Sequence, residues 1–272
     1  MSRRVIVLVV GLALVVSTGF AADIALFNNG TYVDWIPGDT GSEASNLNDT
    51  LLSQGHTVFT FTGITAADFV TATTGRDVLA IPELENGDLN AALDAAARTA
   101  IATYVQDGGV LWMFGGNATP AYNLLNATFG YSISGGSTSS PCPLNNSDAI
   151  GTSFEGGPID IPTNDGTSAI VASSLPPGSL VIYEANTGPA DSIVTLIPEG
   201  AGWIVFFGWD WYDGAPTGVQ DGGWLEVLDR GVAPGGALVA VDVPTMSQWG
   251  VITLVLLLAT SGAFLVARRR LI

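Results

Sequence analysis

Asp107-Gly108-Gly109-Val110-Leu111-Trp112-Met113-Phe114-Gly115-Gly116-Asn117 decides the fold. A glycine pair closes a helical pattern, five apolar residues follow without alternation, and two more glycines turn the chain. A strand that is apolar at every position is buried on both faces, the mark of a parallel sheet covered by helices. The same signature recurs upstream in Asp23-Ile24-Ala25-Leu26-Phe27 and in Asp77-Val78-Leu79-Ala80-Ile81, and a further strand is expected over Thr57 to Phe61. Between these runs the spacing predicts helices over 42–54, with Leu47, Leu51 and Leu52 on one side, and over 66–72, 88–106 and 120–128. Strands alternating with helices in this order imply a doubly wound α/β domain with a mostly parallel sheet.

Residues 129–178 break the rhythm and read as an irregular insertion rich in Gly, Ser, Thr, Asn and Pro, carrying short strands. Order returns in strands predicted over 181–184, 193–197 and 203–207. The last two form a late hairpin around Pro198-Glu199-Gly200, and a final helix covers 222–232.

Outside this middle domain, residues 22–242, both ends are apolar. Arg3 and Arg4 precede an apolar run from Val5 to Val16, and the small residues Gly19 and Ala21 then set up cleavage after Ala21. Residues 1–21 are thus expected to be a signal peptide, handled by the export translocon and signal peptidase. At the other end, the seventeen residues 251–267 would span about 26 Å as a helix, near the lower limit for crossing a bilayer. Trp249 stands at its entry, and Arg268, Arg269 and Arg270 would stay cytoplasmic, leaving the domain outside.

All 25 acidic residues lie in the middle domain, which has only Arg76, Arg98 and Arg230 and no lysine, so it carries −22. Such a surface repels phosphates, which excludes nucleic acid as a partner. The single cysteine, Cys142, cannot form an internal disulfide, and is either sheltered or free for intermolecular pairing.

Val243-Pro244-Thr245-Met246-Ser247-Gln248-Trp249-Gly250, with the apolar helix and arginine cluster after it, resembles the IPTL-CTERM family of bacterial sorting signals over residues 243–272. Pro244, Thr245, Ser247, Trp249 and Gly250 match that pattern. Val243, Met246 and Gln248 are conservative departures from Ile, Leu and Glu. The resemblance implies a membrane-embedded transpeptidase of the exosortase type as partner, and an envelope or surface destination. Pro244 and Gly250 disfavour helix across the octapeptide, which leaves an extended segment that a protease can bind.

The order of elements, with the strings Asp107 to Leu111 and Phe207-Gly208-Trp209-Asp210-Trp211, resembles the class I glutamine amidotransferase-like fold, a flavodoxin-like sheet with a late hairpin. Active members of that family need a cysteine at the turn after the fourth strand and a histidine after the hairpin. Here those places hold Gly115-Gly116-Asn117 and Gly208-Trp209-Asp210. The only histidine, His56, enters a strand and reads as structural, so no catalytic residues are assigned.

In open α/β sheets, ligands bind beyond the carboxyl ends of the strands. Those ends offer Asn28, Asn29, Glu83, Glu85, Asn117, Asp210, Trp211 and Asp213. Amides, carboxylates and indoles together suit a polyhydroxylated ligand such as a glycan. The alternative is a hydrolase of carbohydrate or amide substrates, with Glu83 and Asp210 or Asp213 as acid and base. No cofactor is expected. Calcium on Asn145-Asn146-Ser147-Asp148 or Asn164-Asp165-Gly166 is an alternative to ordinary turn chemistry.

Overall fold

The computed structural model describes residues 21–185 and 191–235. The expected signal peptide up to residue 20, the sorting octapeptide and the helix expected over 251–267 lie outside the described residues. Among the described residues, no helix is long and apolar enough to cross a membrane.

The chain runs β1 (Asp23–Phe27), α1 (Glu43–Ser53), β2 (Thr57–Phe61), α2 (Ala66–Thr73), β3 (Val78–Ile81), α3 (Leu89–Ala92), α4 (Ala95–Gln106), β4 (Val110–Phe114) and α5 (Ala118–Phe129). The insertion holds β5 (Cys142–Pro143), α6 (Asn146–Ala149) and β6 (Asp160–Ile161). Then come β7 (Leu180–Glu184), β8 (Ser192–Glu199), β9 (Gly202–Phe207) and α7 (Trp224–Arg230).

The seven-stranded sheet has the order β2-β1-β3-β4-β9-β8-β7. The first five strands in that order are parallel, and β8 alone is reversed, pairing antiparallel with β9 on one side and with the edge strand β7 on the other. The expected hairpin thus forms, and it delivers β9 to the middle of the sheet, where Val110 pairs with Trp203 and Phe114 with Phe207.

The unalternating strand in which the fold was read sends its residues to both faces. Trp112 and Phe114 join one apolar layer with Leu47, Leu51, Val227 and Leu228 from α1 and α7. Leu111 and Met113 join the other, with Phe69, Ile101, Val105 and Leu125 from α2, α4 and α5. All of these are essentially excluded from water, and each such side chain contributes about 1.5–3 kcal/mol through burial. The one polar atom on Trp112, its indole N–H, donates to the Gly231 carbonyl at 3.0 Å.

The helix expected over 88–106 is two helices. Asp88 caps α3 by accepting from the Ala91 amide, and Asp94 caps α4 by accepting from the Ala97 amide at 2.7 Å. A capping aspartate restarts the helix at Asp94, although the apolar spacing continues across the break. In the insertion, β5 and β6 pair antiparallel, and Cys142, Phe154 and Ile161 fill the core beneath them.

Candidate functional site

The carboxyl ends of β1, β3, β4 and β9 open on one edge of the sheet, and α1 begins at that edge because it follows β1. β3 stops at Ile81, and Pro82 then places Glu83, 9 % exposed, against the turn after β4. A Cβ on Gly116 would overlap the Glu83 carboxylate, so Gly115-Gly116-Asn117 forms a floor for a buried acid. Asp210 closes over Gly166 in the same way. One of its oxygens accepts from the Tyr212 amide at 2.8 Å, and its backbone carbonyl accepts from the Asn164 side chain at 2.7 Å.

A third acid enters from α1. Ser42, the residue before the helix, makes no side-chain cap, because its hydroxyl accepts from the Ile36 amide and donates to the Asp34 carbonyl. Glu43, 7 % exposed, places its carboxyl in the first turn of this helix. Its carboxylate meets those of Asp34, half-buried in the loop after β1, and Glu85, which is exposed. Oxygens from these three residues all lie within 4.8 Å of one another.

Among the described residues this gathering of acids has no counter-charge. Burial pushes the Glu83 carboxyl up to about 8, with Asp210 and Glu85 adding to it and the Asn117 amide working against it. Burial pushes Glu43 up to about 8 as well, with its own backbone amide opposing and Glu85, Asp210 and Glu83 reinforcing the rise. Asp210 and Asp34 are raised, again chiefly by burial. The domain's three arginines are committed elsewhere. Arg76 lies over the Phe59 ring and donates to the Thr74 carbonyl, Arg98 donates to the Asn90 and Leu93 carbonyls, and Arg230 holds Glu226 and the Ser153 carbonyl. One oxygen of Glu43 and one of Glu83 are buried with no hydrogen-bond partner. A buried, unpartnered carboxylate oxygen costs several kcal/mol unless a proton or a cation meets it.

The structure thus joins Glu83 and Asp210 and adds Glu43, Asp34 and Glu85. Asn28 lies at the end of β1 with its side-chain oxygen buried and unpartnered. Asn29 serves the turn, accepting from the Thr31 amide. Asn117 is exposed at the start of α5 and acts on Glu83 through its backbone.

Two residues depart from expectation. Trp211, 2 % exposed, sits edge-on to Phe114 and Trp209, and Trp209 stacks on Trp224. Its faces are taken by the core, so it offers no platform for a sugar ring; the exposed aromatic here is Tyr212, at 52 %. Asp213 has a left-handed backbone (φ 53°) and donates its amide to the Thr40 carbonyl, which makes it a turn residue outside the carboxylate group.

Sequence reasoning missed Glu43 and Asp34. A first-turn acid on the helix after β1 was the available signal for Glu43, since that turn must face the strand ends. Nothing marked Asp34. The loops weighed for calcium spend their oxygens internally: Asn145 accepts from the Ser147 amide and hydroxyl, Asp148 from the Val181 amide, and Asn164 from the Thr167 hydroxyl. His56 accepts from the Ala22 amide at 3.2 Å, at the opposite end of the sheet.

Residues 243–270 match the IPTL-CTERM motif. This is a C-terminal sorting signal, and it marks an exported, envelope-targeted protein. A comparison with curated proteins finds no match. Among solved structures, the chain is similar to a cytoplasmic protein of Salmonella typhimurium LT2, with 16 % identity, 77 % of this chain and 97 % of that one covered, and a TM-score of 0.50. It is also similar to a ThuA-like protein from Parabacteroides merdae ATCC 43184, at 14 % identity, 82 % and 91 % coverage and a TM-score of 0.49. The third is an exo-beta-1,4-mannosidase from Opitutaceae bacterium strain TAV5, at 14 % identity and a TM-score of 0.42, where 76 % of this chain spans only 33 % of that one. The Salmonella likeness shows a shared fold alone, and chemistry rests on the residues of this chain.

Proposed function

We propose that the protein is an exported envelope component, processed at its IPTL-CTERM motif by an exosortase-type membrane enzyme, whose α/β domain binds a polyhydroxylated ligand at the strand ends without turning it over. The match at residues 243–270 carries the sorting half of this reading, and the carboxylates gathered at the strand ends support the ligand-binding half. Pro244, Thr245, Ser247, Trp249 and Gly250 are the residues such an enzyme would recognise. Carboxylates from Asp210 and Glu85 would accept hydroxyl hydrogen bonds, and exposed Tyr212 would supply the stacking face.

Fractionation of cells carrying Pro244→Ala and Trp249→Ala tests the sorting half. The variant is expected to accumulate as a heavier, membrane-held precursor; a mature mass and location equal to wild type would refute processing through the motif. A glycan-array screen of the full chain tests the other half, with Asp210→Asn expected to lose whatever signal the wild type shows. Hydrolysis of any glycan on that array, abolished by Glu83→Gln, would favour the hydrolase alternative.

A further inference from the structure

We infer that the strand-end cluster is a divalent-cation site that takes calcium on Asp34, Glu43 and Glu85. The inference rests on reading the strand ends as the ligand site, and it names a ligand that the sequence placed elsewhere.

Three observations bear on it independently. The first is geometric: oxygens of the three residues lie within 4.8 Å of one another. Oxygens this close can share one hard cation, and calcium takes its oxygen ligands at about 2.3–2.6 Å in flexible geometry. Magnesium, which demands near-ideal octahedral geometry and gives up its waters reluctantly, suits an all-protein carboxylate cage less well.

The second is the state of the donors. Glu43 is 7 % exposed, and its Oε2 accepts no hydrogen bond. Glu83 beside it is 9 % exposed, and its Oε2 is also without a partner. A fold that merely tolerates acids on its surface hydrates them. This one draws two carboxylates out of water and supplies no donor to an oxygen on each.

The third is the charge inventory. Asp34, Glu43, Glu83, Glu85 and Asp210 occupy one edge of a domain with no lysine, whose three arginines are all engaged elsewhere. Among the described residues no side chain supplies a balancing positive charge to this edge, and a bound cation would. An all-oxygen, all-carboxylate donor set selects a hard cation over zinc or copper. The exported location fits calcium, since extracellular calcium modules work at about 10⁻⁴–10⁻³ M.

The experiment is calorimetric titration of the full-length chain, purified in mild detergent and stripped with EDTA, against calcium chloride and separately against magnesium chloride. One saturable calcium equivalent with a Kd below about 1 mM is expected, with magnesium at least ten-fold weaker. Glu43→Gln should abolish it, and Glu85→Gln, at an exposed position that folding does not need, should weaken it at least ten-fold. Asp160→Asn, an exposed acid on β6, is the control for diffuse attraction to a negative surface and should bind as wild type does. No saturable heat, an unchanged isotherm in both Glu43→Gln and Glu85→Gln, or equal affinity for magnesium overturns the assignment. The glycan array separates this from the preceding proposal. Glycan capture by the EDTA-stripped chain with no calcium isotherm removes the cation alone; a calcium isotherm with no glycan capture removes the glycan and keeps the cation.

Discussion

Replacing Glu83 with glutamine in cation-free protein should stabilise the fold, and the gain should grow with pH. The glutamate carboxyl is raised from 4.5 to about 8, mainly by burial and secondly by Asp210. The folded state keeps this proton at pH values where the unfolded chain has released it. The favourable contribution of protonated Glu83 is therefore complete below about pH 4.5, and it is lost as pH rises through about 8. At about 1.4 kcal/mol per pH unit, that interval caps the loss at about 5 kcal/mol, and water reaching the strand ends lowers the expected value to about 2–3 kcal/mol. Glutamine keeps the shape that fits over Gly116, carries no charge to desolvate, and brings an amide that can donate towards Asp210. Urea unfolding in EDTA at pH 5 and pH 8.5 measures the effect. The midpoints of variant and wild type should nearly coincide at pH 5, and the variant should unfold at clearly higher urea at pH 8.5. A variant less stable than wild type at pH 8.5, or a gain of equal size at both pH values, would refute the argument that the carboxyl is held protonated by burial.

Three further outcomes follow from the described packing. Trp224→Ala removes a fully buried indole that stacks on Trp209 and donates to the Pro162 carbonyl at 2.8 Å, and it should cost about 3–5 kcal/mol, read as a lower urea midpoint. Cys142 is buried, donates to the Ser139 carbonyl and has its thiol pushed up to about 11 by burial, so it should resist a thiol reagent at pH 8 until urea is added, and the native protein should form no intermolecular disulfide. Burial lowers the pKa of His56, so its neutral form supports the fold above about pH 6.5 and that support is lost as pH falls. His56→Gln should flatten the urea midpoint between pH 6.5 and 5, and an unchanged slope would count against a buried neutral imidazole.

Much of the sheet was readable because apolar runs such as Val110 to Phe114 have one solution, burial on both faces. The hairpin was readable because Pro198-Glu199-Gly200 punctuates two such runs. The break between α3 and α4 was not, since Asp94 caps only because the chain restarts there, and an aspartate within a periodic stretch looks like any solvated residue. Glu83 and Asp210 were legible as strand-end residues, and the alternation in Trp209-Asp210-Trp211 could also have shown that the indoles and the carboxylate point opposite ways. Glu43 and Asp34 belong to a site assembled from segments between residues 34 and 210. Such convergence is a property of the closed sheet and leaves no spacing to read along the chain.

The placement of β9 sets the order in which this molecule can mature. β4 borders β3 on one side, and its other edge stays bare until Gly202–Phe207 arrives. A nascent chain ending before the hairpin has four parallel strands, an apolar open rim and no route to a closed core. Pairing across so long a stretch of sequence is slow to form. For an exported polypeptide such a delay keeps the chain open for longer, because its last strand is also the latch that closes the core.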